Sequence, residues 1–416
     1  MARSRGMRAS PGVSPLSLVL ALHLLVLLLS GNGWGVQAAI APLSAIDTVF
    51  VFGDSYSETG FDPSKGFDPL AQPAKTTSAG PSWPLYFANN TVSPTLFNRT
   101  FSLARSGATT SPDRVYPTYP NISMGSQVDS WEGWFVNATT AGKKARPVWD
   151  GGQTLFVVSF GLNDLVIAMR SNTPLPTILE PTFAELMNQT SRLYRNGARQ
   201  FLFQFIPAFQ YSPEAQHSFP DVKNAAALVE TNVKLWNERV KVFAGQVAST
   251  LKGSEVGVWD AYGFWEELLA HPQNYGFRNS TDYCGAYAPL KWKRGQSLDI
   301  YRKECGVPLR DYVWLDRAHP TFTVHKLIAD SLVEVLSRPG SSATISLRRR
   351  NSPSSSSHSD TTHLVTHHRA PIPIHRQPSG MIRHLVRRKD GFWAALREQA
   401  VGSVVGPATG VGVKVD

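Results

Sequence analysis

Ser55 stands directly after an apolar run, in the triplet Gly53-Asp54-Ser55, where a serine can act as a nucleophile. A reacting serine needs a base, and an acylated serine also needs donors for the negative charge that develops on the substrate. The alternative is an ordinary polar residue in an ordinary turn. The remainder of the chain decides between the two by supplying or lacking those partners.

His319, in the stretch "WLDRAHPTF", can supply the base. Asp316, three residues earlier, can accept the Nδ1–H bond and hold the tautomer that leaves Nε2 free. Pro320 pushes His319 to extended backbone and can open the next helix, which leaves the imidazole on a loop. The alternative is a helix start capped by Asp316, with His319 as a surface residue.

Three further histidines lie within residues 39–337. We expect His325 on an exposed face of the last helix, while His217 and His271 stand in loops without a neighbouring acid. None of these three is therefore better placed than His319 to act as a base.

Two loops can supply the donors of an oxyanion hole. Asn163 follows an apolar run in "GLND", where its amide can donate while Asp164 braces the loop or caps the next helix. Gly107, in "ARSGATT", would let a backbone N–H approach a ligand closely. The alternatives are a simple Asn-Asp turn after a strand and one more glycine turn.

Short apolar runs without alternation predict strands that are covered on both faces, as in a parallel sheet. Four such runs occur, each followed by a loop or a helical pattern: "DTVFVFG", "TLFVVSFG", "RQFLFQFI" and "SEVGVWD". Strands that alternate with helices predict an α/β fold with three layers, in which ligands bind at the carboxyl ends of the strands. Ser55 lies just past the end of the first predicted strand.

Helical spacing occurs in residues 181–198, in residues 221–251 and from Pro320 to about Ser337. The last helix has one apolar stripe, formed by Val324, Leu327, Ile328, Leu332 and Val335. In the long second helix we expect one buried face, which would contain Leu228, Leu235, Val242 and Val247.

Four blocks occur in a fixed order along the chain: Gly53-Asp54-Ser55, Gly107, Gly161-x-Asn163-Asp164 and Asp316-x-x-His319. With these blocks the chain resembles the GDSL, or SGNH, hydrolase family over residues 47–337. The resemblance implies a flavodoxin-like α/β/α sandwich with a central parallel sheet. It also implies Ser55 as nucleophile, His319 as base and Asp316 as orienting acid.

The same resemblance implies an oxyanion hole made by the backbone N–H groups of Ser55 and Gly107 and the side chain of Asn163. The first block reads GDSY rather than GDSL. We expect that fourth position, Tyr56, to carry no chemistry. Ser55 follows a different pattern from the G-x-S-x-G nucleophile elbow, which this sequence lacks.

"FVFGDSYSETGFD" and "DRAHPTFTVHK" look most like fungal secreted acetylesterases of carbohydrate esterase family 16, which remove acetyl groups from plant cell-wall sugars. Trp83 or Trp292 could stack on a sugar ring, although tryptophans are more often core residues. One alternative is a lipase or phospholipid acylhydrolase of the same superfamily. Another is a secreted glycoprotein that keeps the fold but has lost activity.

The two ends of the chain differ in composition from the middle. Residues 1–38 carry three arginines before an apolar run shorter than the ~20 residues of a membrane span. We predict a cleaved signal peptide there, with a signal anchor as the alternative. Residues 338–416 predict a disordered basic tail rich in Ser, Arg and His, or a gene-model artefact. Residues 39–337 are the predicted SGNH hydrolase catalytic domain.

The net charge of +10 belongs to the ends, because residues 39–337 hold 26 basic and 27 acidic residues. Binding to nucleic acid is therefore not expected of the domain. We expect a monomer without a stable membrane anchor, a cofactor or a metal, acting on a small-molecule or oligosaccharide ester.

Six N-x-[ST] sequons behind a signal sequence predict a secreted, extracellular glycoprotein: Asn89, Asn98, Asn121, Asn137, Asn188 and Asn279. The only two cysteines of the chain, Cys284 and Cys305, lie in one late, loop-like region. In an oxidising compartment we expect them to pair, with two buried thiols as the alternative.

Overall fold

Five strands form one parallel sheet in the computed structural model, which describes residues 40–89, 99–113, 122–137, 146–218 and 224–337. The strands are β1 (Thr48–Gly53), β2 (Thr100–Ser102), β3 (Thr154–Ser159), β4 (Gln200–Gln204) and β5 (Glu255–Trp259). Their order across the sheet is β2-β1-β3-β4-β5, the flavodoxin-like order. The predicted signal peptide and tail lie outside the described residues.

Four of the five strands coincide with the predicted apolar runs, and all six residues of β1 are buried. The exception, β2, has only three residues, "TFS", which are too few to show a pattern. It pairs with β1 from Val49 opposite Thr100 to Val51 opposite Ser102. The strand that carries Ser55 at its end is therefore flanked by a neighbour on each side.

Eight α-helices of the described residues surround the sheet: α1 (Trp83–Asn89), α2 (Met124–Trp131), α3 (Leu162–Arg170), α4 (Leu175–Arg195), α5 (Pro213–His217), α6 (Ala225–Thr250), α7 (Ala261–Ala270) and α8 (Phe322–Leu336). Helix α1 packs against α8, whereas α4 packs between α2 and α6. Right-handed crossovers put these two groups on opposite faces of the sheet. The result is the predicted three-layer α/β/α sandwich.

The buried face of α6 differs from the predicted one. Leu228, Leu235 and Val242 are exposed by 42%, 36% and 56%, so three of the four residues expected in the core lie at the surface. Consecutive helical residues are about 100° apart, which places Val247 about 100° around the axis from Leu228. Val247 therefore lies on a different face, the buried one, together with Trp236.

A second, smaller cluster of buried side chains is formed mainly by the segment that connects α7 to α8 and includes Tyr287, Leu309, Tyr312 and Leu315. A disulfide between Cys284 and Cys305, with 5.6 Å between the Cα atoms, closes this segment. Leu315 is the last residue before Asp316, so the chain passes from this cluster directly to the predicted base.

The sequon asparagines of the described residues are accessible to different degrees. Asn89, Asn137 and Asn188 are exposed, and Asn279 is half-buried. Asn98 and Asn121 lie outside the described residues. Among the described helices, none is both long enough and apolar enough to span a membrane.

Candidate active site

Ser55 lies in a turn, residues 53–57, that follows the carboxyl end of β1 and that we call the Ser55 turn. Gly53 closes the strand against β3, where a Cβ would lie 2.8 Å from the carbonyl oxygen of Ser159. The side chain of Gln127 accepts the Gly53 N–H at 2.9 Å and donates to the Gly53 carbonyl at 2.7 Å. This paired contact fixes the point at which the chain leaves the sheet.

The backbone beyond Gly53 is held by further bonds. Ser57 N–H donates to the Asp54 carbonyl at 3.0 Å, which closes the turn. Thr77 donates its hydroxyl to the carbonyl of Ser55 at 2.8 Å. Ser55 itself is 7% exposed, so its hydroxyl is presented to a restricted space.

His319 reaches Ser55 from a second segment, residues 315–320, that we call the His319 loop. Its Nε2 lies 3.0 Å from Ser55 Oγ, and its Nδ1 lies 2.9 Å from Asp316 Oδ2. Asp316 Oδ1 also accepts the N–H groups of Ala318 and His319, each at 2.8 Å. With Nδ1–H donated to the carboxylate, Nε2 is left to accept the Ser55 hydroxyl proton.

In the His319 loop, Asp316 and His319 each favour the charged form of the other. Burial disfavours the imidazolium, but attraction to the Asp316 carboxylate, the hydrogen bond to it and the charge of Asp54 together outweigh that cost and raise the pKa of His319 above its usual 6.5. Burial would raise the pKa of Asp316, yet His319 and the two N–H donors lower it. Asp316 thus stays ionised and stabilises positive charge on the ring.

The two predicted oxyanion loops flank the Ser55 turn, because they follow β2 and β3, the neighbours of β1. Gly107 has φ +81°, a left-handed conformation that favours glycine. Asn163, in the first turn of α3, donates one amide hydrogen to the carbonyl of Ala108 at 2.9 Å. The two loops are therefore joined directly, and the second hydrogen of the Asn163 amide remains for a ligand.

Asp164 braces the Gly107 loop rather than capping a helix. Its carboxyl oxygens accept the N–H of Thr110 at 3.0 and 3.1 Å. Asp164 is fully buried, and burial raises its pKa to about 7. Of the two roles expected for Asp164, the contacts of its carboxyl group correspond to bracing the loop and not to capping the helix.

One expectation about a single residue is wrong. His325 is fully buried, not exposed: its Nδ1 accepts the Trp83 N–H at 3.3 Å, and burial lowers its pKa to about 3. Of the two roles considered for Trp83, the structure shows the core residue: it is only 2% exposed and donates its Nε1–H to Ser57. Tyr56, which we expect to carry no chemistry, donates its hydroxyl to the carbonyl of Ala318 at 2.6 Å.

Trp292 remains half-buried, with its Nε1–H bonded to the Gln296 carbonyl at 3.3 Å. Thr77 and Gln127, which hold the Ser55 turn, are not among the predicted site residues. Gln127 lies 74 residues from the glycine that it holds, and no local pattern marks either residue.

Comparison with known proteins places this arrangement in a family. The sequence profile of the GDSL-like lipase/acylhydrolase family matches residues 49–332, a span that includes Ser55 and His319. The thermolabile hemolysin of Vibrio parahaemolyticus is 27% identical over 311 residues, which cover 72% of this chain and 66% of the hemolysin.

An acetylesterase of Thermothelomyces thermophilus is 26% identical over 314 residues, which cover 72% of this chain and 93% of the acetylesterase. A GDSL-like lipase structure from Parabacteroides merdae aligns at 13% identity and a TM-score of 0.36, over 70% of this chain and 96% of that one. Because the family profile covers most of the chain, this protein belongs to the GDSL-like lipase/acylhydrolase family and is a carboxylic ester hydrolase.

Proposed function

We propose that this hydrolase is a secreted acetylesterase that removes acetyl groups from plant cell-wall oligosaccharides through an acyl-enzyme formed on Ser55. The observation that carries the proposal is the continuous chain of contacts from Ser55 Oγ to His319 Nε2, at 3.0 Å, and from His319 Nδ1 to Asp316, at 2.9 Å. A nucleophile, a base and an orienting acid are what acyl transfer requires.

In the proposed reaction, His319 Nε2 takes the hydroxyl proton of Ser55 as Oγ attacks the ester carbonyl carbon. The backbone N–H groups of Ser55 and Gly107 and the amide of Asn163 stabilise the oxyanion of the tetrahedral intermediate. As the intermediate collapses, the sugar oxygen leaves with the proton from His319. Water, activated by the same imidazole, then attacks the acetyl-enzyme and releases acetate.

The loops around the Ser55 turn support a short acyl group. Asn163 bonded to Ala108 and Asp164 bonded to Thr110 join the two loops on either side of the turn, which leaves little room for a long chain between them.

Similarity to the acetylesterase of T. thermophilus also favours acetyl esters, since the match covers 93% of that enzyme. The hemolysin of V. parahaemolyticus matches with comparable identity, 27%. The family description, GDSL-like lipase/acylhydrolase, keeps a lipase or phospholipid acylhydrolase as the second candidate. Secretion is supported by the apolar N-terminal run, and glycosylation by the exposure of three sequon asparagines.

The test combines an acyl-chain series with an active-site variant. Hydrolysis of nitrophenyl acetate, butyrate, octanoate and palmitate is measured beside acetate release from acetylated xylo-oligosaccharides. We expect the highest kcat/KM with acetate esters and free acetate from the sugars. Activity that peaks at octanoate or longer, with no acetate released, would favour the lipase candidate.

Ser55→Ala should lower kcat by about 10⁴-fold or more, because removal of a nucleophile disables the whole triad. Ser57→Ala is the matched control, since this hydroxyl in the same turn contacts Trp83 rather than His319. It should keep most of the activity. Substantial esterase activity in Ser55→Ala would refute the proposed nucleophile.

A further inference from the structure

The His319 loop is held in place through three consecutive carbonyl groups. The Arg317 carbonyl accepts the N–H of Glu214 at 2.8 Å, and the His319 carbonyl accepts the N–H of Leu315 at 2.8 Å. Between them, the Ala318 carbonyl accepts the hydroxyl of Tyr56 at 2.6 Å. Of these three donors, only the Tyr56 hydroxyl belongs to a side chain.

The three contacts do not have the same consequence. The bond from Leu315 N–H and the bonds to the Asp316 carboxylate lie within the loop, so they fix its shape but not its distance from the Ser55 turn. The Glu214 contact ties the loop to α5. The Tyr56 contact ties it to the Ser55 turn itself, across 262 residues of sequence.

Tyr56 is well constrained for this purpose. It is 8% exposed, and its ring centroid lies 6.1 Å from that of His319 and 6.2 Å from that of the buried His325. Its own N–H donates to Asp54 at 3.0 Å. Backbone, ring and hydroxyl are thus all engaged, which limits the positions that the Ala318 carbonyl can take.

We propose that Tyr56 is a positioning residue whose hydroxyl sets the distance between His319 Nε2 and Ser55 Oγ by holding the Ala318 carbonyl. This inference rests on the proposed roles of Ser55 and His319. A displacement of a reacting group by about 1 Å can cost about 100-fold in rate. The Tyr56 hydroxyl links the two segments that carry Ser55 and His319, so it acts on catalysis without touching the substrate.

The experiment compares Tyr56→Phe with Tyr312→Phe in the full chain. Tyr312 is a close match: it is 5% exposed, and its hydroxyl also donates to a backbone carbonyl, that of Cys305, at 2.6 Å. Each variant removes one buried hydroxyl and keeps the ring. The melting temperature of both variants is measured. Each kcat is calculated per active site, with the concentration of active sites taken from complete labelling of Ser55 by a fluorophosphonate, so that misfolded protein is not counted.

We expect Tyr56→Phe to lower kcat about three- to tenfold, with KM unchanged, since one such bond is worth ~1 kcal/mol. The rate of fluorophosphonate labelling should fall by a similar factor, because it depends on the Ser55–His319 geometry and not on sugar binding. Tyr312→Phe should lower the melting temperature to a similar extent and leave both rates unchanged.

Wild-type kcat and labelling rate in Tyr56→Phe would overturn the inference, as would equal losses in both variants, which would indicate a general effect of destabilisation. Ser55→Ala separates this result from a failure of the proposed function. If Ser55→Ala is inactive while Tyr56→Phe behaves as wild type, only the positioning role is wrong. If Ser55→Ala remains active, the proposed roles of Ser55 and His319 fail first.

Discussion

The Ser55 turn and the His319 loop each contain one aspartate, and the pKa values of the two carboxyl groups are shifted in opposite directions. Asp54, in the Ser55 turn, is 3% exposed and accepts the N–H of Tyr56, and burial raises its pKa to about 6. Asp316, in the His319 loop, is half-buried, and its pKa is lowered by His319 and two N–H donors.

This difference indicates that the two reacting segments are fixed by different forces. The Ser55 turn is an extension of the sheet, held by hydrogen bonds from Gln127 and Thr77 and by packing around a carboxyl that resists ionisation. The His319 loop depends on an ionised carboxylate and its partners. We therefore expect changes at Asp54 and at the contacts that anchor Gly53 to act mainly on stability, and changes at Asp316 to act mainly on catalysis.

The largest effect should come from removing the charge of the His319 loop. Asp316→Asn is expected to lower kcat by about 10³- to 10⁴-fold at neutral pH, because the imidazole loses its tautomer and its stabilising charge. In the wild type, kcat/KM should rise with pH through a midpoint above 6.5, as His319 loses its proton. Without the carboxylate that raises the pKa, the midpoint in Asp316→Asn should move to lower pH.

Asp311→Asn is the control for that change, since Asp311 pairs with Arg278 and not with His319. It should keep both kcat and the midpoint of the wild type. An unshifted midpoint in Asp316→Asn would show that this carboxylate does not set the pKa of the base.

The second prediction concerns stability against pH. A carboxyl whose folded pKa is raised stabilises the protein fully below its unfolded pKa of 3.8, and that stability is lost as pH rises through about 6. Asp54→Asn should therefore match the wild type near pH 4 and have a higher free energy of unfolding, by about 3 kcal/mol, near pH 8. Urea unfolding of both proteins across this range measures the difference.

Asp316 supplies the opposite case in the same assay. Because its folded pKa is lowered, the stability that Asp316 contributes is present above its unfolded pKa of 3.8 and is lost as pH falls through the lower folded pKa, so Asp316→Asn should be less stable than the wild type at pH 8 and approach it at acidic pH. The same sign for the two Asn variants would mean that the two aspartates do not differ as described.

A smaller effect is expected from Gln127→Leu. The buried N–H of Gly53 would lose its partner and the Gly53 carbonyl would keep only the N–H of Arg105, at a cost of about 2 kcal/mol in the free energy of unfolding. Gln204→Leu is the matched control, because Gln204 is 6% exposed and its Nε2 has no partner among the described residues. Urea unfolding should show a much smaller loss for Gln204→Leu, and equal losses would argue against an anchoring role for Gln127.

The smallest effect should follow deletion of residues 338–416. Both reacting segments are complete before residue 338, and helix α8 ends at Leu336. We expect melting temperature and esterase activity to remain essentially unchanged. A marked fall in either one would show that the tail contributes to the folded domain.

The sequence predicted those parts of the fold and site that are determined by neighbouring residues or by recognisable motifs. Buried runs such as "TVFVFG" predicted four strands, because strands covered on both faces lack polar positions. The four blocks predicted which side chains meet at the rim of the sheet. Asp316 and His319 are close in sequence, so their contact follows from backbone geometry over a single turn.

The remainder depends on contacts between distant segments. His325 is buried where its Nδ1 accepts the backbone N–H of Trp83, 242 residues away, and nothing in the spacing of α8 indicates that contact. Strand β2 is only three residues long and is defined by pairing with β1. The buried face of α6 is set by what Trp236 meets, namely Gly161 and Phe183.

The distance in sequence between Ser55 and His319, 264 residues, also has a consequence for the timing of synthesis. At about 5–20 residues per second, the segment that carries His319 emerges roughly 15 to 50 s after the one that carries Ser55. During that interval β1 can already pair with β2 and β3, but the serine has no imidazole beside it. A nascent chain that includes β3 but ends before residue 319 can therefore hold the proposed nucleophile on a paired strand without its proposed base, and we expect activity only once the segment that leads into α8 has been made.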